Sequence, residues 1–138
     1  MALEQGISQL VSDFIAAGRP SAGEQSIDDR RAGYLASTAL AGETETRVEV
    51  REFTLGRIRF RCYSPQNATD NLPALIYYHG GCFVSGGFDT HDKQLRQLAF
   101  YSSCRVIAVQ YRLAPEHRWP AVHVDVLRGA ELIRQNAQ

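Results

Sequence analysis

Two stretches, LPALIYY at residues 72–78 and RVIAVQY at residues 105–111, constrain the fold of this chain more than anything else in it. Both are apolar almost without interruption. Runs of this length and continuity read as strands buried on both faces, and such strands belong to parallel sheets covered by helices. Between them Leu95, Leu98 and Ala99 fall on one side of a helix, with Thr90 placed to cap it and Asp92 in its first turn. The three segments predict a strand, helix, strand unit.

The flanking segments change period. Val48, Val50 and Phe53 alternate with Arg47, Glu49 and Arg51, and Ile58, Phe60 and Cys62 alternate with Arg57, Arg59 and Arg61. These are two half-exposed strands joined by a tight turn at Leu55 and Gly56, followed by a polar loop over residues 65–71. Earlier, Ile7, Leu10, Val11, Phe14 and Ile15 mark an amphipathic helix over about residues 4–17, ending at Gly18, Arg19 and Pro20. A second helix follows, with Ser26 as its cap, Asp28 and Asp29 in its first turn, Tyr34, Leu35 and Thr38 on its buried side, and Gly42 as its stop. After residue 111 a loop, RLAPEHRWP, leads to a helix from about Ala121 with Val122, Val126, Ala130, Ile133 and Ala137 on one face, its start packed by Trp119. The order predicts an α/β fold: two helices, an antiparallel hairpin, then a mostly parallel βαβ sheet and a closing helix.

Charge excludes some partners. Lys plus Arg and Asp plus Glu number 15 each, so no net field favours nucleic acid or an anionic membrane surface. No stretch approaches the roughly eighteen apolar residues that span a bilayer. The first residues lack a basic region followed by an apolar run, so the chain reads as cytoplasmic. Cys62, Cys82 and Cys104 are odd in number and widely spaced, which suits reduced thiols and matches no zinc spacing. No metal or cofactor is expected.

Chemistry concentrates in YYHGGCFVSGGF, residues 77–88, where Gly80, Gly81, Gly86 and Gly87 follow a buried strand directly. Ligands of open α/β sheets bind in the crevice at the carboxyl ends of strands, and glycines there let consecutive backbone N–H groups face an anion. Phosphate is one such anion, but a Walker loop needs G-x-x-x-x-G-K-[ST], and a dinucleotide loop needs G-x-G-x-x-G; neither spacing is present. The oxyanion of a tetrahedral acyl intermediate is the other. A flexible turn without chemistry accounts for the glycines but not for His79.

HGG at residues 79–81, Gly86 and Gly87, THD at residues 90–92 and YRLAPEHRWPA at residues 111–121 together resemble the hormone-sensitive-lipase family of α/β hydrolases, which are carboxylesterases and lipases. The likeness runs from about residue 46 to residue 126. It implies a helical cap segment at residues 1–43 and the first part of an α/β-hydrolase core at residues 44–138. It also implies that the N–H groups of Gly80 and Gly81 are oxyanion-hole donors and that His79 anchors their loop rather than acting as a base. Arg112 and Glu116 are expected to pair within a supporting loop, and His91 and His123 to be structural or surface residues. Two positions depart from the family pattern: Cys82 stands at a usual third glycine, and Gln110 at a usual acidic residue.

A serine hydrolase of this kind also needs a nucleophile, an acid and a base, with the serine inside G-x-S-x-G. The chain contains no such pentapeptide; RPSAG at residues 19–23 lacks the first glycine, and Ser85 has Phe83 where that glycine would stand. A Cys82 thiolate activated by His79 would be a different nucleophile, but no third group orients that pair. The implied protein is therefore the amino-terminal portion of an esterase, ending before its nucleophile strand and inactive by itself. Its expected partners are a small ester substrate and either the missing carboxyl-terminal half or a second copy of the chain.

Overall fold

The computed structural model describes residues 4–18, 20–21, 23–66, 68 and 71–136. Arg19 at the predicted end of the first helix, Ala22, Ala137 on the last apolar stripe, and Asn67, Thr69 and Asp70 of the polar loop lie outside the described residues. Two helices open the chain, α1 at Gln5–Ala16 and α2 at Ile27–Ala36. The Ser26 hydroxyl accepts the Asp29 N–H at 3.1 Å, satisfying one of the free donors of the first turn of α2, as the sequence predicts. A 3₁₀ turn at Ser37–Ala41 extends α2 as far as Gly42. The apolar stripe of α1 has the predicted period but is not covered: Phe14 is 64% exposed and Ile15 72%.

The hairpin is β1 at Val48–Leu55 and β2 at Ile58–Pro65, antiparallel, with Leu55 opposite Ile58 and a two-residue turn between them. The helix α3 at Phe88–Ser102 connects β3, Ala74–Tyr77, to β4, Arg105–Gln110. The strand order is β1-β2-β4-β3. β4 runs parallel to β3 but antiparallel to β2, so two of the three pairings are antiparallel and the sheet is mixed rather than mostly parallel. The crossover places β4 between the hairpin and β3, which is why it meets one neighbour of each kind.

Alternation along the strands divides the core in two. Tyr63, Val106 and Ala108 point to one face, where Phe88, Leu95 and Ala99 of α3 cover them. Ile58, Phe60 and Val109 point to the other, against Leu132 and Ile133 of α4, Ala121–Asn136. Phe60, Tyr63, Val106 and Val109 are fully enclosed. Burial of a side chain such as Phe60 or Val109 contributes about 1.5–3 kcal/mol.

Three local expectations change. The first apolar run is not buried on both faces: Ala74 and Leu75 are exposed and Ile76 and Tyr77 half-buried, and among the described residues β3 has one strand neighbour. Thr90 is not the cap of α3. The helix starts at Phe88, and the Thr90 hydroxyl reaches back to accept the Gly87 N–H at 2.9 Å and to donate to the Gly87 carbonyl. On α4 the buried residues are Asp125, Gly129, Leu132 and Ile133, with Val122, Val126 and Ala130 half-buried beside them. Hydropathy misplaces that face because its deepest polar residue, Asp125, carries its own counter-ion.

Candidate active site

The glycine loop leaves the carboxyl end of β3 and runs into α3, and three successive peptides in it are held by their carbonyls. The His79 carbonyl accepts the Tyr111 hydroxyl. His79 Nδ1 lies 2.9 Å from the Gly80 carbonyl and 3.1 Å from the Tyr111 oxygen. A carbonyl only accepts, so Nδ1 carries the proton. The Gly81 carbonyl accepts three donors: the Val84 N–H at 3.1 Å, and the Ser85 N–H and hydroxyl at 3.0 Å each.

In a planar trans peptide the N–H points opposite the C=O. Pinning the carbonyls of His79, Gly80 and Gly81 therefore aims the N–H groups of Gly80, Gly81 and Cys82 in defined directions. None of the three has an acceptor among the described residues. Such a row of unpaired, oriented donors is suited to an anion.

The backbone that produces this row demands glycine at one point above all. Gly81 has φ +135°, and a Cβ there would lie 2.0 Å from the Ser85 carbonyl oxygen. Cys82 and Phe83 follow at φ 53° and 62°. The departure from a third glycine thus leaves the left-handed backbone in place, and each of these side chains is held there at a cost of about 1–2 kcal/mol. Cys82 is exposed, with a free thiol.

His79 is 6% exposed and its ring stacks on Tyr111 with centroids 4.2 Å apart. Its Nε2 is buried without a partner among the described residues. Burial outweighs the Gly80 hydrogen bond and holds the imidazole below its ordinary value, with His91 nearby adding to the shift. A lowered titration favours the neutral ring at pH 7. Burial also raises the Tyr111 hydroxyl to about 12, leaving it protonated to donate to the His79 carbonyl. His91 is buried as well: Nε2 lies 3.1 Å from the Tyr34 hydroxyl, and Nδ1 2.9 Å from that of Thr90. Burial lowers its titration too, ahead of the opposing Gly87 hydrogen bond.

The loop after β4 is braced differently from its expected pairing. Arg112 does not meet Glu116. It grips Asp125 of α4 through Nε and Nη2 at 2.8 Å each and through its backbone N–H at 3.0 Å. Burial pushes the Asp125 carboxyl up, but those hydrogen bonds outweigh it and hold the group below the usual range. Glu116 pairs with Arg31 of α2, whose hydrogen bonds bring the carboxyl down to about 2. Trp119 is 79% exposed and makes an edge contact with His123 of α4, itself exposed. Arg31, Asp125 and the Cys82 N–H escaped the sequence reading. Nothing in a polar helix or a helical aspartate marks a partner far away in the chain, and a backbone donor leaves no trace in residue type.

Known proteins share this fold. A family model described as alpha/beta hydrolase fold matches residues 75–138. The chain is 42% identical over 96 residues to carboxylesterase NlhH of Mycobacterium tuberculosis, a match covering 67% of this chain and 30% of that protein. A hyperthermophilic esterase from the archaeon Pyrobaculum calidifontis superposes with a TM-score of 0.83 at 35% identity, over 99% of this chain and 45% of that one. An ester-hydrolase from the Lake Arreo metagenome gives 0.81 at 36%, over 99% and 46%. This chain belongs to the hormone-sensitive-lipase family of α/β hydrolases. It spans less than half the length of these family members, and its mixed sheet with a helix on each face is part of the family fold. No helix among the described residues is long and apolar enough to cross a membrane.

Proposed function

We propose that the chain is the amino-terminal portion of a serine carboxylester hydrolase acting on short acyl esters through an acyl-enzyme, and that it contributes the oxyanion loop. Residues 1–43 form the cap segment, and residues 44–138 the first part of the catalytic core, ending before the nucleophile. The observation that carries this reading is the row of oriented, unpaired N–H groups at the end of β3. Gly80 and Gly81 donate to the developing oxyanion, with the Cys82 N–H as a further donor of the same row. Such donors act on charge that develops towards the tetrahedral intermediate, and because they are held in place beforehand they need no reorganisation when it forms. His79 holds the loop. Nucleophile, acid and base come from the carboxyl-terminal portion, and the three free thiols suit a reducing, cytoplasmic setting.

Hydrolysis of p-nitrophenyl acetate tests the proposal. The 138-residue chain alone stays near the buffer rate, and activity appears on co-expression with a carboxyl-terminal portion carrying G-x-S-x-G. Rapid turnover by the chain alone, or none by the assembled pair, would overturn it.

One feature favours a second reading, a non-catalytic module that associates through its sheet. β3 is paired on one side only among the described residues, and a groove of about 1080 Å³ opens on the α4 face beside Phe53, Leu55, Ile107 and Ile133. An unpaired strand edge of this kind templates association. The sixty codons that follow residue 138 in the gene separate the two readings: an in-frame G-x-S-x-G supports the esterase, a stop codon the module.

A further inference from the structure

Arg31 lies on α2, remote in sequence from both loops of the site, yet its guanidinium ties them together. Nε donates to the Val84 carbonyl at 2.8 Å, inside the glycine loop. Nη2 donates to the Ala114 carbonyl at 3.2 Å, in the loop after β4. Nη1 and Nη2 hold Glu116 as a fork, at 2.7 and 2.8 Å. The two loops meet where the Ala114 N–H donates to the Phe83 carbonyl at 2.9 Å. One turn along the same face of α2, the Tyr34 hydroxyl reaches His91, whose Nδ1 lies 3.3 Å from the Gly87 carbonyl.

An exposed ion pair by itself adds little stability. Arg31 differs because two of its hydrogen bonds go to backbone carbonyls on separate loops, and a planar fork fixes direction as a lysine ammonium does not. Val84 also donates to the Gly81 carbonyl, the group whose orientation sets the Cys82 N–H. Arg31 is thus two bonds removed from the donor row and touches none of it.

We propose that Arg31 is a positioning residue: it clamps the oxyanion loop to the loop after β4, so that the amino-terminal helix sets the geometry of the donors. This rests on the esterase reading for its catalytic consequence, but not for the clamp.

Hydrogen exchange on the 138-residue chain tests the clamp directly. Arg31→Ala should speed exchange of the Val84, Ser85 and Ala114 amides at least about tenfold, as expected when a local opening replaces a closed state. The amides of β4 should be unchanged, and Arg31→Lys should fall between. Unchanged exchange at the three loop amides, or equal acceleration in β4, would overturn the clamp. In the enzyme assembled with a carboxyl-terminal portion, Arg31→Ala should lower kcat about 10- to 100-fold, the scale of a displaced reacting group, with KM within about threefold. Arg31→Lys should restore part of kcat. A change in KM alone, or none in kcat, would overturn the positioning role. If the assembled wild type hydrolyses no ester, the esterase reading fails, and exchange alone decides the clamp.

Discussion

β3 and β4 come from two predominantly apolar runs of equal length, and they end in opposite environments. β4 is paired on both sides and closed over by α3 and α4, with Val106 and Val109 fully buried. β3 pairs on one side, and Leu75 remains 37% exposed. An apolar run states that a strand tolerates burial; its neighbours decide whether burial occurs. The same division separates the glycine loop from α1. Every carbonyl from residue 79 to 81 is held by a named partner, whereas the apolar face of α1 is uncovered.

The largest effect should come from placing a charge on each strand. Val109→Asp buries an unpaired carboxylate and should cost more than about 4 kcal/mol, abolishing cooperative urea unfolding. Leu75→Asp should cost less than about 1 kcal/mol and lower light scattering, because a charge on an edge discourages association. Equal losses would break the comparison.

Within the loop, Gly81 is enclosed and Gly80 open, a Cβ at Gly80 meeting nothing within 4 Å. In the assembled enzyme Gly81→Pro removes a donor and should lower kcat by about 10² to 10³, or about 2.7–4 kcal/mol. Gly80→Ala retains its N–H and should stay within about threefold of wild type. A Gly81→Pro enzyme with normal kcat would place the hole elsewhere.

Acid should weaken the closed side next. His79 and His91 titrate below their ordinary value in the folded protein, so the unfolded chain binds protons more readily. Stability is therefore full above the unfolded pKa near 6.5 and falls as pH drops through it towards the folded values. Melting between pH 7.5 and 5 should show a declining Tm, less steep in a His91→Gln variant. A Tm flat over that range would mean that the two rings are not held neutral by the fold.

The smallest effect should be a gain. Cys82→Gly relieves a left-handed non-glycine residue and should stabilise the chain by about 1 kcal/mol at most, since added freedom in the unfolded state offsets part of the relief. A loss in the urea midpoint would show that the thiol has a partner of its own.

The sequence by itself determined what depends on neighbours along the chain. It set the hairpin with its turn, the crossover helix between two apolar runs, the Ser26 cap, and a glycine loop at a strand end. Each is a matter of local period, cap chemistry or backbone freedom. Only the tertiary structure decided which apolar run was closed over, that Arg112 takes Asp125 and leaves Glu116 to Arg31, and that the carbonyls of His79, Gly80 and Gly81 are each held while the N–H groups of Gly80, Gly81 and Cys82 keep no acceptor among the described residues. Those outcomes join residues far apart in the chain, and the hydrogen-bond geometry that selects one partner over another of the same charge has no counterpart in residue order.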